Sequence, residues 1–282
     1  MEFWCGDETV AHKYAHMQLQ KPTTKLEMEY KAEASAFDPK PWGAQGMAQM
    51  AGDVAVIKVA GGLIAGQAGW RSLYGMVGYE DVKGAVVEAV GRNDVKGVLM
   101  YFDTPGGSVN GVEATARLIN EAGKIKPIVG YAATAASAGY WLASATSYIV
   151  ADNTSMVGSL GSILQLVNLV DMYAKEGIKF HTFKSGELKM AGNPNEELSE
   201  EAKAHFQMQV DDMTTIFYRN IANYRGMDAT QMRSDFGKGQ GVLGMRALAG
   251  GLIDELGGMG VAMAKLKSLI EEKGQQANLQ RM

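Results

Sequence analysis

The chain has 282 residues, 46% of them hydrophobic and 21% charged, with a formal net charge of −4. This balance suits a globular protein with a real core and gives no electrostatic reason to bind nucleic acid. A single cysteine, Cys5, excludes an intramolecular disulfide framework and fits a reducing compartment.

The first eighteen residues, MEFWCGDETVAHKYAHMQ, interrupt their apolar positions with Glu2, Asp7, Glu8, His12 and Lys13, so no secretory signal is expected. No later window reaches the roughly 18 consecutive apolar residues of a membrane helix. The expectation is a soluble, cytoplasmic protein. Residues 1–50 contain Pro22, Pro39 and Pro41 and no sustained apolar period, and they read as a partly ordered N-terminal extension. A single domain is expected over 51–272, with a flexible tail at 273–282.

Within that domain, the β-branched run at 54–59 predicts a strand that ends at Gly61-Gly62. The segment 78–91 predicts an amphipathic helix with Val82, Ala85, Val86, Ala89 and Val90 on one face. A strand at 98–102, a turn at 103–107 and a helix over 108–122 follow. Next come a strand at 127–131, a run of small residues through Gly139, a strand at 147–151 and an apolar stretch near 160–170. A further strand is predicted at 179–183. The last third reads as helical, with a long amphipathic segment over 199–224 and shorter helices to 272. Strands alternating with helices imply an α/β domain with largely parallel pairing.

Three segments could carry chemistry, and each also has a plain structural reading. Asp103-Thr104-Pro105-Gly106-Gly107 lies between a strand and a helix, where paired glycines can present N–H groups to a developing oxyanion; it could equally be a simple turn. Ser137 has only Ala136, Ala138 and Gly139 around it, which admits a substrate backbone. It could instead be a helix cap. Lys189 lies in a loop between Leu188 and Met190. A lysine acts as a base only when desolvation favours its neutral form, and surface exposure is the ordinary state of a loop lysine. His12, His16, His181 and His205 are the only histidines, and none occupies a promising position, so a serine nucleophile here would use another base. No metal-ligand spacing, phosphate-binding loop or dinucleotide fingerprint is present.

Five motifs in order carry a resemblance. They are Asp103 to Gly107, Ser137-Ala138-Gly139-Tyr140-Trp141-Leu142-Ala143-Ser144, Gly158-Ser159-Leu160-Gly161, Lys184-Ser185-Gly186-Glu187-Leu188-Lys189 and Gly251-Leu252-Ile253-Asp254-Glu255-Leu256. Together they resemble the signal peptide peptidase A-like serine proteases, which share the Clp protease and crotonase superfamily fold, over about residues 53–272. The resemblance implies an α/β fold with a repeated β-β-α core and a helical C-terminal region. It implies Ser137 as nucleophile and Lys189, not Lys184, as general base, with Ser159 orienting the lysine. The implied oxyanion donors are the amides of Gly106, Gly107 and Ala138, and no metal or organic cofactor is needed. Gly75-Met76-Val77-Gly78-Tyr79, Asp103 in place of a common Asn, and Gly192-Asn193-Pro194 after the lysine look closer to the tailed-phage capsid assembly (head maturation) proteases.

The resulting expectation is a Ser–Lys serine endopeptidase acting on protein or peptide substrates, such as capsid or scaffold proteins, in the host cytoplasm or procapsid. It would have no nucleic-acid partner and no membrane span. It would form a ring-shaped homo-oligomer with Ser and Lys supplied by neighbouring protomers. The alternatives are a cellular, soluble signal-peptide-peptidase-like protease, a crotonase-type acyl-CoA enzyme and a non-catalytic shell component.

Overall fold

The computed structural model describes residues 4–5 and 46–279; most of the expected N-terminal extension lies outside the described residues. Two strands come first, β1 (Trp4–Cys5) and β2 (Ala48–Ala51). The chain then winds through three turns of one unit: a long strand, a short strand or tight turn, and a helix. The first turn comprises β3 (Val54–Ala60), β4 (Gly62–Ile64), β5 (Met76–Gly78) and α1 (Tyr79–Gly91). The second comprises β6 (Gly97–Thr104), β7 (Gly107–Ser108) and α2 (Val112–Ile125). In the third, β8 (Ile128–Ala136) passes through a sharp turn at Ser137 into α3 (Ala138–Ser144). This is the repeated β-β-α core expected from the sequence.

After β9 (Tyr148–Gly158) the chain makes an excursion holding only the short helix α4 (Val170–Lys175) and a 3₁₀ turn at Glu187–Met190. It returns through the long helix α5 (Glu200–Arg225), capped by the Ser199 side chain accepting from the Ala202 N–H. The remaining elements are α6 (Ala229–Phe236), β10 (Gly241–Leu243), α7 (Gly244–Ala249), β11 (Glu255–Leu256) and α8 (Met259–Leu279).

The large sheet runs β10-β9-β8-β6-β3-β2, with β11 also paired to β9; a smaller one runs β1-β7-β4-β5. Strands β3, β6, β8 and β9 are mutually parallel. Their two-residue period splits the core between the two faces of the sheet. Ile57, Met100, Phe102 and Ile149 join Val86, Ile119, Trp141 and Phe217 of α1, α2, α3 and α5 in one cluster. Val56, Leu99, Val129 and Val150 meet Ala262 and Leu266 of α8 in the other. Trp141 stacks on Phe217 with centroids 4.6 Å apart, pinning α3 to α5. Truncating Phe217 to Ala would cost about 3–5 kcal/mol, as for other large core side chains.

The structure departs from the sequence reading in several places. The small residues Ala132 to Ala136 continue β8, and β9 runs on to Gly158. Alanine is a poor strand former, but pairing on both sides, to β6 and to β9, overrides that preference. Residues 160–170 hold no strand, and neither do residues 179–183. Ile163, Val167, Phe180 and Phe183 are exposed there. Residues 273–279 continue α8 where a flexible tail was expected, and the Lys273 Nζ donates to the Lys124 carbonyl. The sheet also begins before residue 51, since β2 pairs antiparallel with β3.

Candidate active site

Three of the five motifs begin at the carboxyl ends of adjacent parallel strands, the end where open α/β sheets place their ligands. Strand β6 leads into Pro105-Gly106-Gly107, β8 into Ser137 and β9 into Ser159. The register pairs Thr104 with Ala135 and Ala136 with Gly158, so the three segments leave the sheet side by side.

Ser137 sits at φ 54° and ψ −121° between β8 and α3. Among the described residues, Ser137 and Ser159 are the two non-glycine residues with positive φ, and both have φ 54°. Such geometry is strained for a side chain with a Cβ and persists only where its surroundings enforce it. For Ser137 the enforcement is visible. Its N–H donates to the Gly158 carbonyl at 2.6 Å, and its carbonyl accepts from the Trp141 N–H at 3.0 Å. Ser137 is 1% exposed, and its Oγ lies 3.5 Å from the Gly161 carbonyl oxygen. Ser159 is fixed by its N–H donating to the Gln240 carbonyl at 3.0 Å.

The glycine turn is equally specific. The Gly106 N–H donates to the buried Thr104 Oγ1 at 3.1 Å, which occupies that amide. The Gly106 carbonyl accepts from the Leu63 N–H of β4 at 2.8 Å. Because the peptide between Gly106 and Gly107 is planar and trans, its N–H points the opposite way, off the outer edge of β7. A Cβ on Gly107 would lie 1.9 Å from the Leu63 oxygen, so β4 and β7 can approach this closely only with glycine there. Ala138, as the first residue of α3, has no intrahelical acceptor for its N–H. The arrangement therefore separates the three expected donors: the amide of Gly106 is taken by Thr104, that of Gly107 faces the outer edge of β7, and that of Ala138 has no acceptor within its own helix.

The small residues beside Ser137 have a further role. A Cβ on Gly139 would fall 2.3 Å from Thr104 Cγ2, so glycine lets α3 pack directly on the end of β6. Tyr140 is fully buried, and its hydroxyl donates to the Leu252 carbonyl at 2.7 Å; burial raises its pKa above the ordinary phenol range. In the same motif, Asp254 accepts two hydrogen bonds from the Arg225 guanidinium and one from the Ile149 N–H. The segment from Gly251 to Leu256 is thus a clasp that ties α3, β9 and α5 together. Sequence reading found this motif without finding what it does. Thr104, Gly158 and Gly161 were likewise missed as site residues, although each adjoins or lies within a motif.

Ser137 and Ser159 share a cleft of about 420 Å³ with Leu160, Gly161, Thr214 and Tyr218. Lys189 does not line it. The 3₁₀ turn leaves Lys189 exposed, and no hydrogen bond joins it to Ser137. The apolar neighbours Leu188 and Met190 thus do not bury it within one chain. Lys184 is 3.4 Å from the Glu196 carboxylate. Among the described residues no group of three His, Cys, Asp or Glu side chains could hold a metal ion, and no helix is long and apolar enough to cross a membrane.

Known proteins are similar to this chain in sequence. Capsid assembly protease C of Escherichia phage lambda is 30% identical over 74% of this chain and 47% of its own length. Head-tail preconnector protein GP5 of Enterobacteria phage P21 is 31% identical over 72% of this chain and 40% of its own. Protease 4 of Haemophilus influenzae is 28% identical over 78% of this chain and 35% of its own. The chain thus spans about half the length, or less, of these relatives. The family model described as peptidase family S49 matches residues 120–273, more than half of the chain, and takes in Ser137, Ser159 and Lys189. This chain belongs to peptidase family S49.

Proposed function

We propose that this protein is a serine endopeptidase in which Ser137 is the nucleophile and Lys189, supplied by a neighbouring copy, is the general base. The observation that carries the reading is the strained turn at Ser137, which lines a cleft shared with Ser159. Neutral Lys189 takes the Oγ proton as Oγ attacks a peptide carbonyl. The Gly107 and Ala138 N–H groups stabilise the tetrahedral oxyanion. The resulting Lys189 ammonium protonates the leaving amine, and water then hydrolyses the acyl-enzyme and restores Ser137. Ser159, in the same cleft, would orient the incoming lysine.

Two features favour delivery of Lys189 from another chain. Lys189 has no hydrogen bond to Ser137 within one chain. The excursion that carries it also exposes Val167, Ile178, Phe180 and Phe183, the last 97% accessible, and apolar exposure of that kind suits a protein interface. A head-to-tail contact repeated by rotation closes into a ring. The similarity to the lambda and P21 proteins favours a substrate among phage capsid or scaffold proteins.

The test is labelling with a fluorophosphonate, with the modified residue located by mass spectrometry, together with co-assembly of Ser137→Ala and Lys189→Ala chains. Phosphonylation of Ser137 and recovery of peptidase activity in the mixture are expected. Modification at another serine would remove the nucleophile assignment. Verified mixed assemblies that stay inactive would place both residues of each dyad in one chain.

A further inference from the structure

Strand β7 is two residues long, and one of its edges is covered by β4, through the pairing of Leu63 with Gly107. The other edge carries the Gly107 N–H, the amide assigned above to the oxyanion. That edge is occupied. Strand β1 lies antiparallel along it, with Cys5 opposite Gly107 and Trp4 opposite Ser108. In an antiparallel ladder a residue whose N–H and carbonyl both point at its partner exchanges two hydrogen bonds with it. The outward Gly107 amide makes the Cys5–Gly107 pair one of these. An extended peptide presenting a scissile carbonyl to Ser137 would add to the same edge by the same main-chain pairing. The N-terminal segment and a substrate strand therefore require one amide at the same time.

We infer that the N-terminal segment around Trp4–Cys5 is a tethered competitor of substrate, which masks the β7 edge and must leave it before a peptide can bind. The inference rests on the peptidase reading of Ser137. Several observations support competition over a permanent strand. Among the described residues the pairing covers two positions, a contact short enough to exchange. Residues 6–45 separate it in sequence from the first strand of the large sheet, so release of β1 leaves the parallel core intact. The core side of β7 is held independently, by Leu63 and by the Tyr79 hydroxyl donating to the Ser108 carbonyl at 2.6 Å. The edge thus keeps its shape when β1 departs. A substrate meets an enzyme whose open fraction is reduced, and its apparent affinity falls by that fraction.

The contact is between backbones, which sets the test. In the full-length chain, Cys5→Pro removes the N–H at the paired position, whereas Cys5→Ala keeps it. Amide hydrogen exchange at Gly107 reads the pairing without reference to catalysis, and hydrolysis of an internally quenched peptide reads competition. Cys5→Pro should speed exchange at Gly107 and lower KM about fivefold at unchanged kcat; Cys5→Ala should match the parent in both. Unchanged exchange in Cys5→Pro overturns the pairing. Faster exchange with unchanged KM overturns the competition. Intact pairing with no peptide hydrolysis in any variant instead removes the peptidase reading, and the competition with it.

Discussion

Ser137 and Ser159 are coupled through one residue: the Ser137 N–H donates to the carbonyl of Gly158, and Ser159 follows directly with the same φ of 54°. Two adjacent strand ends are thus bent to the same positive φ and tied to each other. Neither turn can relax without disturbing its neighbour, so the two hydroxyls are held in fixed relation across the cleft. Strain of this kind, at about 1–3 kcal/mol per residue, is retained where geometry serves chemistry.

Replacing Ser159 by glycine should therefore separate stability from activity. Glycine adopts positive φ without strain, and the relief offsets its larger unfolded-state entropy. Ser159→Gly should leave stability unchanged or raise it by up to about 2 kcal/mol. Ser159→Ala keeps the strain and gains nothing. If the hydroxyl orients the base, both variants should lose about tenfold or more in kcat. Thermal unfolding and peptide hydrolysis measured on the same preparations give the comparison; full activity in Ser159→Gly would leave this serine a backbone element alone.

Lys184 and Lys189 of the excursion should behave differently. Lys184 is engaged with Glu196 at 3.4 Å in a partly exposed pair, an arrangement worth under about 1 kcal/mol. Lys184→Ala should keep kcat/KM within about threefold, because so weak a pair positions little. Lys189→Ala should lose at least about 100-fold, the usual cost of removing a general base. Steady-state rates on one quenched peptide decide the matter, and near-normal turnover in Lys189→Ala would show that it is not the base.

Much of this was legible in the sequence because local pattern and fold agree. The β-branched run at Val54 to Val59 and the helix at Tyr79–Gly91 lie where the hydrophobic periods put them. Ser137 was recognisable through its small neighbours, although the main requirement for Gly139 is contact with Thr104. What local pattern could not show was pairing between distant segments. Ala132 to Ala136 form a strand because β6 and β9 flank them, whereas among the described residues no strand flanks Phe180 and Phe183. The division of labour between Gly106 and Gly107 was hidden for a related reason. It depends on Thr104 and Leu63 taking the amide and carbonyl of Gly106, and a glycine pair alone does not reveal which N–H is taken within the turn.

On the opposite face of the sheet, the Tyr131 hydroxyl donates to the Asp152 carboxylate. Burial, together with that bond and the carboxylate's charge, pushes its pKa up to about 12. A phenol whose folded pKa is raised contributes stability that is complete below its unfolded value of about 10 and is lost as pH rises toward the folded value. Tyr131→Phe should cost about 1.5–3 kcal/mol below pH 10, as for hydrogen bonds to charged groups. The gap between parent and variant should narrow between about pH 10 and 12. Urea unfolding of both proteins across that range tests the linkage, and a gap independent of pH would refute it.

The contact between Gly139 and Thr104 yields a prediction with its own rescue. A Cβ at position 139 would sit 2.3 Å from Thr104 Cγ2 and 3.3 Å from the Thr104 oxygen. Thr104 is fully buried, and its Oγ1 holds the Gly106 amide, so its side chain cannot rotate away without releasing the glycine turn. Gly139→Ala should destabilise the protein by about 1–3 kcal/mol, the usual cost of overpacking. It should also lower kcat, because the same displacement disturbs both the Ser137 turn and the Gly107 donor. Thr104→Ser removes the offending methyl and keeps the hydroxyl. Gly139→Ala combined with Thr104→Ser should therefore recover most of the lost stability and turnover, while Thr104→Ser alone, leaving a methyl-sized void, should cost about 1 kcal/mol. Failure of the double variant to improve on Gly139→Ala in both unfolding and hydrolysis would show that glycine is needed at position 139 for a reason other than this contact.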